Sequence, residues 1–180
     1  MSSLELIIGP MFSGKTTELQ ERVKQLQTNN KKIIVVKHSK DNRYDANMMT
    51  THNFVSIDCM LFTNLSDINN ITTYDAIIID EGQFFTDLKE TISFWLDNYN
   101  INIIVGGLDG NFQRKPIGQI LDLIPLSDNC IKLTALCNIC NNGTRAPFSR
   151  RIVDSTDTIL IGGAESYIPV CRKHLNGINI

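Results

Sequence analysis

The chain has 180 residues, a formal net charge of −2 and 42% hydrophobic residues. This length and composition fit one globular domain, or one domain with a small appendage. The slight excess of acidic residues argues against a nucleic-acid-binding protein that relies on a basic surface. No apolar stretch of ~18 residues is present, so we expect no membrane span. The N-terminus runs directly into the first predicted strand, so we also expect no signal peptide.

Apolar runs alternate with helical patterns along the chain, which indicates an α/β fold with a parallel sheet. The predicted strands are continuous apolar runs, as expected for strands that helices cover on both faces. In chain order, the predicted elements are a strand at residues 4–8, a helix at 16–27, a strand at 33–37, a helix at 65–71, a strand at 76–80, a helix at 86–97, a strand at 102–106, a short helical piece at 118–123 and a strand at 131–136.

The composition changes after Leu136, where paired cysteines and glycines replace long apolar patterns. We therefore predict two domains. Residues 1–136 form the α/β domain, and residues 137–180 form a small zinc-stapled lobe.

A phosphate-binding motif, G-x-x-x-x-G-K-[ST], lies between the first predicted strand and the first predicted helix. It comprises Gly9, Pro10, Met11, Phe12, Ser13, Gly14, Lys15 and Thr16. In this strand–loop–helix setting, the loop N–H groups and the helix N-terminus bind the phosphates of a nucleotide. The motif also predicts that Lys15 reaches the β- and γ-phosphates and that the Thr16 hydroxyl lies on Mg²⁺.

Two acidic residues, Asp80 and Glu81, follow the apolar run of residues 77–79. In P-loop proteins an acid at this place holds the Mg²⁺ shell, and open α/β sheets bind ligands at the carboxyl ends of their strands. An Asp that begins an ordinary turn is the alternative. Adjacent residues of an extended chain point in opposite directions, so Asp80 and Glu81 need not compete for one ion. Glu81 suits the orientation of an acceptor hydroxyl in a kinase, or of a water in a hydrolase.

Two ligand pairs, Cys137 with Cys140 and Cys171 with His174, stand in the predicted lobe. Three thiolates and one imidazole complete a tetrahedral Zn²⁺ shell with no open position, which is typical of a structural site. The separation of the pairs by residues 141–170 is longer than usual, so reduced, buried cysteines with a surface histidine are the alternative.

The remaining cysteines and histidines show no ligand pattern. Cys59 and Cys130 are expected to pack as small apolar residues, and no role is expected for His38 and His52 in a polar loop. An odd count of five cysteines fits a reducing compartment better than a disulfide scaffold, so we expect a cytoplasmic protein.

Several of these motifs resemble the type II thymidine kinases, a family with cellular cytosolic, bacterial and poxviral members. The matching stretches are the P-loop and residues 40–44, 80–85, 108–116, 132–135 and 161–164. They extend over nearly the whole chain. The resemblance implies ATP-dependent transfer of a phosphoryl group to the 5′-hydroxyl of thymidine, as in nucleotide salvage for DNA synthesis. It also implies feedback inhibition by thymidine triphosphate and a homotetramer.

The resemblance further implies roles for individual residues. Glu81 resembles the catalytic base and Asp80 the acid of the Mg²⁺ shell, while Asp41 and Arg43 resemble a segment near the phosphates. Phe112 is expected to pack on the thymine ring, with Tyr167 on the opposite side of the ligand. The 5-methyl pocket would comprise Met11, Leu108 and Ser149, and the lobe would grip the base through the backbone of Thr158, Ile159, Leu160, Ile161 and Gly162.

These assignments have plainer alternatives. Phe112, Met11 and Leu108 could be core residues, and Asp41 and Arg43 a solvated turn pair. The chain also departs from the family pattern: His174 replaces a common Cys, Ser149 replaces a common Thr, and residues 141–148 form a longer segment.

Three functional classes are therefore compared. The first is a deoxynucleoside kinase. The second is a P-loop NTPase switch, which would carry a water-positioning residue and lack a nucleoside acceptor pocket. The third is a non-enzymatic zinc-lobe adaptor for nucleic acid, against which the acidic balance and the lack of a basic stripe count.

Overall fold

The computed structural model describes residues 1–41, 48–50, 56–154 and 162–175. The strands of these residues are β1 (Ser3–Gly9), β2 (Ile33–His38), β3 (Met48–Thr50), β4 (Ser56–Asp58), β5 (Met60–Phe62), β6 (Ala76–Asp80), β7 (Asn102–Leu108), β8 (Asn129–Lys132), β9 (Ala135–Leu136), β10 (Arg145–Ala146), β11 (Phe148–Arg151) and β12 (Tyr167–Val170). The α-helices are α1 (Lys15–Thr28) and α2 (Leu88–Asn98).

A six-stranded sheet in the order β5-β2-β6-β7-β1-β8 forms the centre of the fold. Every neighbouring pair in it is parallel. The register pairs Lys37 of β2 with Asp80 of β6, so these two charged residues lie side by side at the carboxyl edge. This is the edge at which α/β sheets bind ligands.

Helices cover both faces of the sheet, as the sequence predicts. On one face, Leu19 and Val23 of α1 belong to a cluster that contains Ile7 and Ile78 of the sheet. On the other face, α2 joins a second cluster through three buried residues, Leu88, Ile92 and Trp95. Neighbouring strand residues point to opposite faces, so each central strand supplies side chains to both clusters.

One predicted helix is replaced by shorter pieces. Residues 65–71 were expected to form one helix, but two 3-10 helices occupy this region, Leu65–Asp67 and Ile71–Thr73. Asn70 adopts a φ of 57° and a ψ of 34° between them. An α-helix cannot continue through a left-handed residue, which explains the interruption. The short piece predicted at 118–123 is a 3-10 helix, Ile120–Leu126.

The strand predicted at residues 131–136 is wrong as a single element. β8 pairs with β1 and ends at Lys132, whereas β9 pairs with β10 in a separate sheet. The chain therefore leaves the main sheet at residues 133–134. The edge strand β5 and the β3–β4 hairpin have no counterpart among the predicted elements.

A third apolar cluster lies in the C-terminal part of the chain. It contains Ala135, Cys137, Ala146, Val170 and Cys171, with Phe12 of the P-loop packed against it. The antiparallel pairs β9–β10 and β11–β12 frame this cluster. The domain boundary at residues 136/137 stays a prediction.

Two of the residues without a ligand pattern differ from expectation. Cys130 is exposed on edge strand β8 rather than packed, whereas Cys59 is buried as expected. His38 ends β2 rather than lying in a polar loop; its ring packs edge-on against Phe85 at 4.8 Å, and burial lowers its pKa. His52 lies outside the described residues. Within the described part of the chain, no helix combines the length and apolar character needed to cross a membrane.

Candidate active site and metal centre

The P-loop connects β1 to α1 and depends on two glycines. A Cβ added to Gly9 would lie 2.7 Å from the carbonyl oxygen of Leu133, so any side chain there would collide with backbone. Gly14 has a φ of 86°, and a Cβ on it would meet no heavy atom of the described residues within 4 Å. The turn thus needs glycine at Gly14 for its backbone conformation, while its outer side stays open to a ligand.

The Lys15 side chain folds back over its own loop. Its ammonium donates a 2.7 Å hydrogen bond to the carbonyl oxygen of Pro10, and the residue is only 8% exposed. The Thr16 hydroxyl donates to Asp80 Oδ2 at 3.4 Å. The structure therefore brings the two residues expected on Mg²⁺ into contact. A hydroxyl beside a carboxylate is a hard oxygen donor set that suits this ion.

Glu81 reaches its position by a turn rather than by strand alternation. Asp80 is the last residue of β6, and Glu81 adopts a φ of 54° and a ψ of 41°. The Glu81 N–H donates to Asp80 Oδ1 at 2.9 Å. The extended-chain argument for the two carboxylates therefore does not apply, because the backbone enters the left-handed region at Glu81. A non-glycine residue in this region costs about 1–3 kcal/mol, and such strain concentrates at functional sites.

Gln83 bridges Glu81 to the end of the next strand, which the sequence did not reveal. Its amide nitrogen donates to Glu81 Oε2, and its amide oxygen accepts a 2.9 Å hydrogen bond from the Leu108 N–H. Both Glu81 and Gln83 are buried, at 8% and 5% exposure. The only sign of this role in the sequence is a polar residue three positions after an acidic strand end. Many surface turns have the same pattern, so it does not indicate a buried bridge.

A buried ion pair lies beside this acidic strand end. Lys37 Nζ lies 3.2 Å from Asp41 Oδ2, with side-chain exposures of 3% and 4%. Asp41 is therefore not part of a solvated turn. Lys37 was not among the site residues predicted from the sequence, although a lysine at the end of a predicted apolar strand can indicate a buried charge near a site. Arg43 lies outside the described residues.

Two of the three residues expected in the methyl pocket, Met11 and Ser149, are in contact. The Met11 N–H donates to Ser149 Oγ at 2.9 Å, which joins the loop to β11. Leu108 stands at the end of β7, where its N–H contacts Gln83. Met11, Leu108 and Phe112 are all half-buried, so the alternative of core residues is wrong for these three.

Arg151 joins the two aromatic residues expected at the base. Its guanidinium lies 3.9 Å from the centroid of the Phe112 ring, and its Nη2 donates to the Tyr167 hydroxyl at 2.9 Å. Sequence reasoning missed this arginine because its partners are far apart in the chain. Of the predicted base-gripping backbone, Gly162 is described and half-buried. The positions outside the described residues are Thr158, Ile159, Leu160 and Ile161.

The predicted zinc ligands converge in the C-terminal lobe. One ligand atom from each of Cys137, Cys140, Cys171 and His174 lies within 4.8 Å of all the others. His174 Nδ1 is 3.4 Å from both Cys140 Sγ and Cys171 Sγ. His174 is 6% exposed, so the alternative of a surface histidine is wrong. The donor set and its spacing fit a structural Zn²⁺.

The electrostatics of this cluster favour a metal ligand at Cys137. Burial opposes its ionisation, but backbone N–H groups at Cys140 and Cys171 and the His174 side chain outweigh burial and lower the pKa of the Cys137 thiol to about 6. The thiolate is the form of cysteine that binds metal. Burial is the main cause that raises the pKa of Cys140.

Comparison with known proteins decides the family. A family model described as thymidine kinase matches residues 2–175. The chain belongs to the thymidine kinase family. It is 44% identical to Thymidine kinase 1 of Dictyostelium discoideum over 180 residues, 96% of this chain and 77% of that protein. It is 45% identical to the thymidine kinase of Vaccinia virus (strain Ankara) over 171 residues, 94% of each chain. It is 46% identical to a Variola virus thymidine kinase over a stretch of the same length.

Proposed function

We propose that this chain transfers the γ-phosphoryl group of ATP to the 5′-hydroxyl of thymidine, which gives thymidine monophosphate and ADP. Membership of the thymidine kinase family supports this assignment. The observation that carries it is the placement of buried Glu81 beside Asp80, which in turn contacts Thr16 of the P-loop. A proton acceptor and a phosphate-binding loop thus meet at one edge of the sheet.

On the nucleotide side, the P-loop N–H groups and Lys15 bind the phosphates, and Thr16 and Asp80 hold Mg²⁺. The ion, when bound, neutralises charge on the β- and γ-oxygens. When a nucleotide binds, the Lys15 ammonium leaves the Pro10 carbonyl oxygen and binds the phosphates. The hydrogen bond to Pro10 therefore keeps the ammonium near the phosphate-binding loop before the nucleotide arrives.

At the acceptor, Glu81 orients the 5′-hydroxyl and takes its proton late in transfer. The oxygen of that hydroxyl forms a bond to the γ-phosphorus, while the bond from the γ-phosphorus to the bridging oxygen breaks and ADP leaves. Burial keeps competing water away from Glu81, which is only 8% exposed.

For the thymine base, Phe112 offers an apolar face, Tyr167 lies across the ligand, and Met11, Leu108 and Ser149 enclose the 5-methyl group. The backbone of residues 158–162 grips the base edge. Arg151 covers one face of the Phe112 ring. The base therefore uses the opposite face or displaces the guanidinium.

Zn²⁺ at Cys137, Cys140, Cys171 and His174 holds the lobe together, since a four-ligand shell leaves no position for a substrate. We further propose a cytoplasmic homotetramer that thymidine triphosphate inhibits; these features rest on the family resemblance. The competing function is a P-loop NTPase switch without a nucleoside acceptor.

Turnover of ATP with and without thymidine separates the two functions. A kinase shows strong dependence on thymidine and forms a phosphorylated nucleoside in step with ADP. ADP formation that is equal in the absence of thymidine would establish the switch instead. A panel of nucleosides with Mg²⁺–ATP, read as product phosphates, then defines the acceptor.

A further inference from the structure

Gln83 is a buried amide whose two ends are committed to different elements. Its nitrogen donates to Oε2 of Glu81, which stands two residues earlier in the chain. Its oxygen accepts from the N–H of Leu108, the last residue of β7, at 2.9 Å. An amide has one donor end and one acceptor end, so this pair of partners fixes its orientation: the carboxylate requires the NH₂ group and the backbone N–H requires the oxygen.

Gln83 packs closely against two glycines, one at its side-chain amide and one at its backbone. A Cβ added to Gly107 would lie 2.4 Å from Gln83 Oε1, and a Cβ added to Gly118 would lie 2.2 Å from the Gln83 carbonyl oxygen. Both glycines therefore let backbone approach Gln83 closely. Leu108, Gly107 and Gly118 carry no titratable side chain, whereas Glu81, which accepts the hydrogen bond of the Gln83 amide nitrogen, is charged.

We propose that Gln83 is the positioning residue of the catalytic base, an inference that rests on the proposed function. Its donated hydrogen bond holds Oε2 of Glu81, so that the other carboxylate oxygen faces the acceptor hydroxyl. Its accepted bond ties this carboxylate to the end of β7, where Leu108 stands in the expected methyl pocket. The base and one wall of the substrate pocket are thereby set at a fixed distance.

The direct test is Gln83→Glu, which keeps an oxygen for the Leu108 N–H and replaces the donor with a carboxylate against Glu81. We expect kcat to fall by about 10²-fold, the cost of a misplaced reacting group, while the KM values for thymidine and Mg²⁺–ATP stay near those of the parent. The loss of kcat should become smaller as the pH is lowered from about 8 to about 6. Over this range one of the two adjacent carboxyl groups of the variant regains a proton, and it can then donate a hydrogen bond as the amide does.

Gln119→Glu is the matched control. The amide oxygen of Gln119 also accepts a backbone N–H, that of Lys89 in α2, at 2.9 Å. The Gln119→Glu variant should keep parental kcat at every pH. A Gln83→Glu variant with parental kcat, or with a loss that does not change with pH, would overturn the proposal.

Gln83→Met covers the case in which Gln83→Glu does not fold. A folded variant with lowered kcat and retained KM values supports the positioning role; a folded variant with parental kcat, or failure of both variants to fold, assigns Gln83 to folding instead. If the parent itself did not phosphorylate thymidine, the proposed function would fail first, and the same assay shows this separately.

Discussion

At the scale of single residues, charged groups of the site lie almost entirely out of water. Lys37 and Asp41 are 3% and 4% exposed and 3.2 Å apart, beside Asp80 in the neighbouring strand. Removing one partner of such a buried pair costs about 3–5 kcal/mol, because the other charge is left uncompensated. The pair therefore fixes where the chain leaves β2 next to the phosphate site.

Lys15→Ala tests the phosphate-binding loop. We expect kcat to fall by at least about 10²–10³-fold, the usual loss when one preorganised donor to a developing charge is removed. The fold should remain, because the hydrogen bond from the ammonium to the Pro10 carbonyl oxygen lies within its own loop. Lys24→Ala, on the same helix and exposed, is the control. A folded Lys15→Ala variant with near-parental turnover would remove the P-loop assignment.

Phe112→Ala tests the aromatic face of the substrate site. Loss of a stack on a base costs ~1–3 kcal/mol, so we expect the KM for thymidine to rise and the KM for ATP to stay unchanged. Thr158→Ala should change either value little, because a backbone grip does not depend on the side chain. Equal effects of the two substitutions on the KM for thymidine would contradict these different roles of the Phe112 side chain and the Thr158 backbone.

At the scale of elements, the local pattern of apolar residues predicts most of the sheet but not its interruptions. Buried runs such as those at β6 and β7 are visible in the sequence because helices cover both faces. The three-residue strand β5 is too short to stand out, and the chain leaves the main sheet after Lys132 because β9 finds a partner in β10.

The site shows the same limit. The P-loop, the acidic strand end and the four zinc ligands were predictable because the residues of each motif, or of each ligand pair, stand close together in the sequence. The left-handed backbone of Glu81, the Gln83 bridge and the Arg151 contact with Phe112 were not, because each depends on residues that meet only in the folded chain.

Removal of the metal should destabilise the C-terminal lobe before it affects chemistry. Cys137→Ser or His174→Ala should lower Tm, because structural zinc contributes folding free energy directly. Metal analysis should find about one Zn²⁺ per chain, the number that one four-ligand site implies. Cys130→Ser, at an exposed cysteine outside the cluster, should change neither value. Active protein without metal would exclude the zinc site.

The zinc site should also respond to pH. The pKa of Cys137 is lowered to about 6, so its thiolate is present above that value and is lost as pH falls through it. Ligand protonation competes with metal binding. We therefore expect zinc to dissociate more readily as pH is lowered, which a chelator competition series measures. Affinity that rises towards low pH would contradict the assignment of this thiolate.

At the scale of the whole molecule, residues of the α/β sheet and of the C-terminal part of the chain are both expected at the substrate site. The sheet supplies the P-loop, Asp80 and Glu81, while Ser149 of β11 contacts Met11 of the loop.

Because one methyl group in an apolar pocket is worth ~1–3 kcal/mol, thymidine should be preferred to deoxyuridine by about 10- to 10²-fold in kcat/KM. Deoxycytidine presents a reversed donor–acceptor edge, which would leave the backbone groups expected to grip the base unpaired, and should be rejected more strongly.

The measurement that tests the central claim most directly is thymidine-dependent phosphoryl transfer by the parent and by Glu81→Gln, with Glu90→Gln on exposed α2 surface as the control. The parent and the control should convert thymidine to its monophosphate at equal rates. Glu81→Gln keeps the shape of the side chain and loses the proton acceptor, so its kcat should fall by roughly 10²–10⁴-fold while thymidine still binds. Full turnover in Glu81→Gln, or equal phosphorylation of thymidine and deoxycytidine by the parent, would contradict the proposed site.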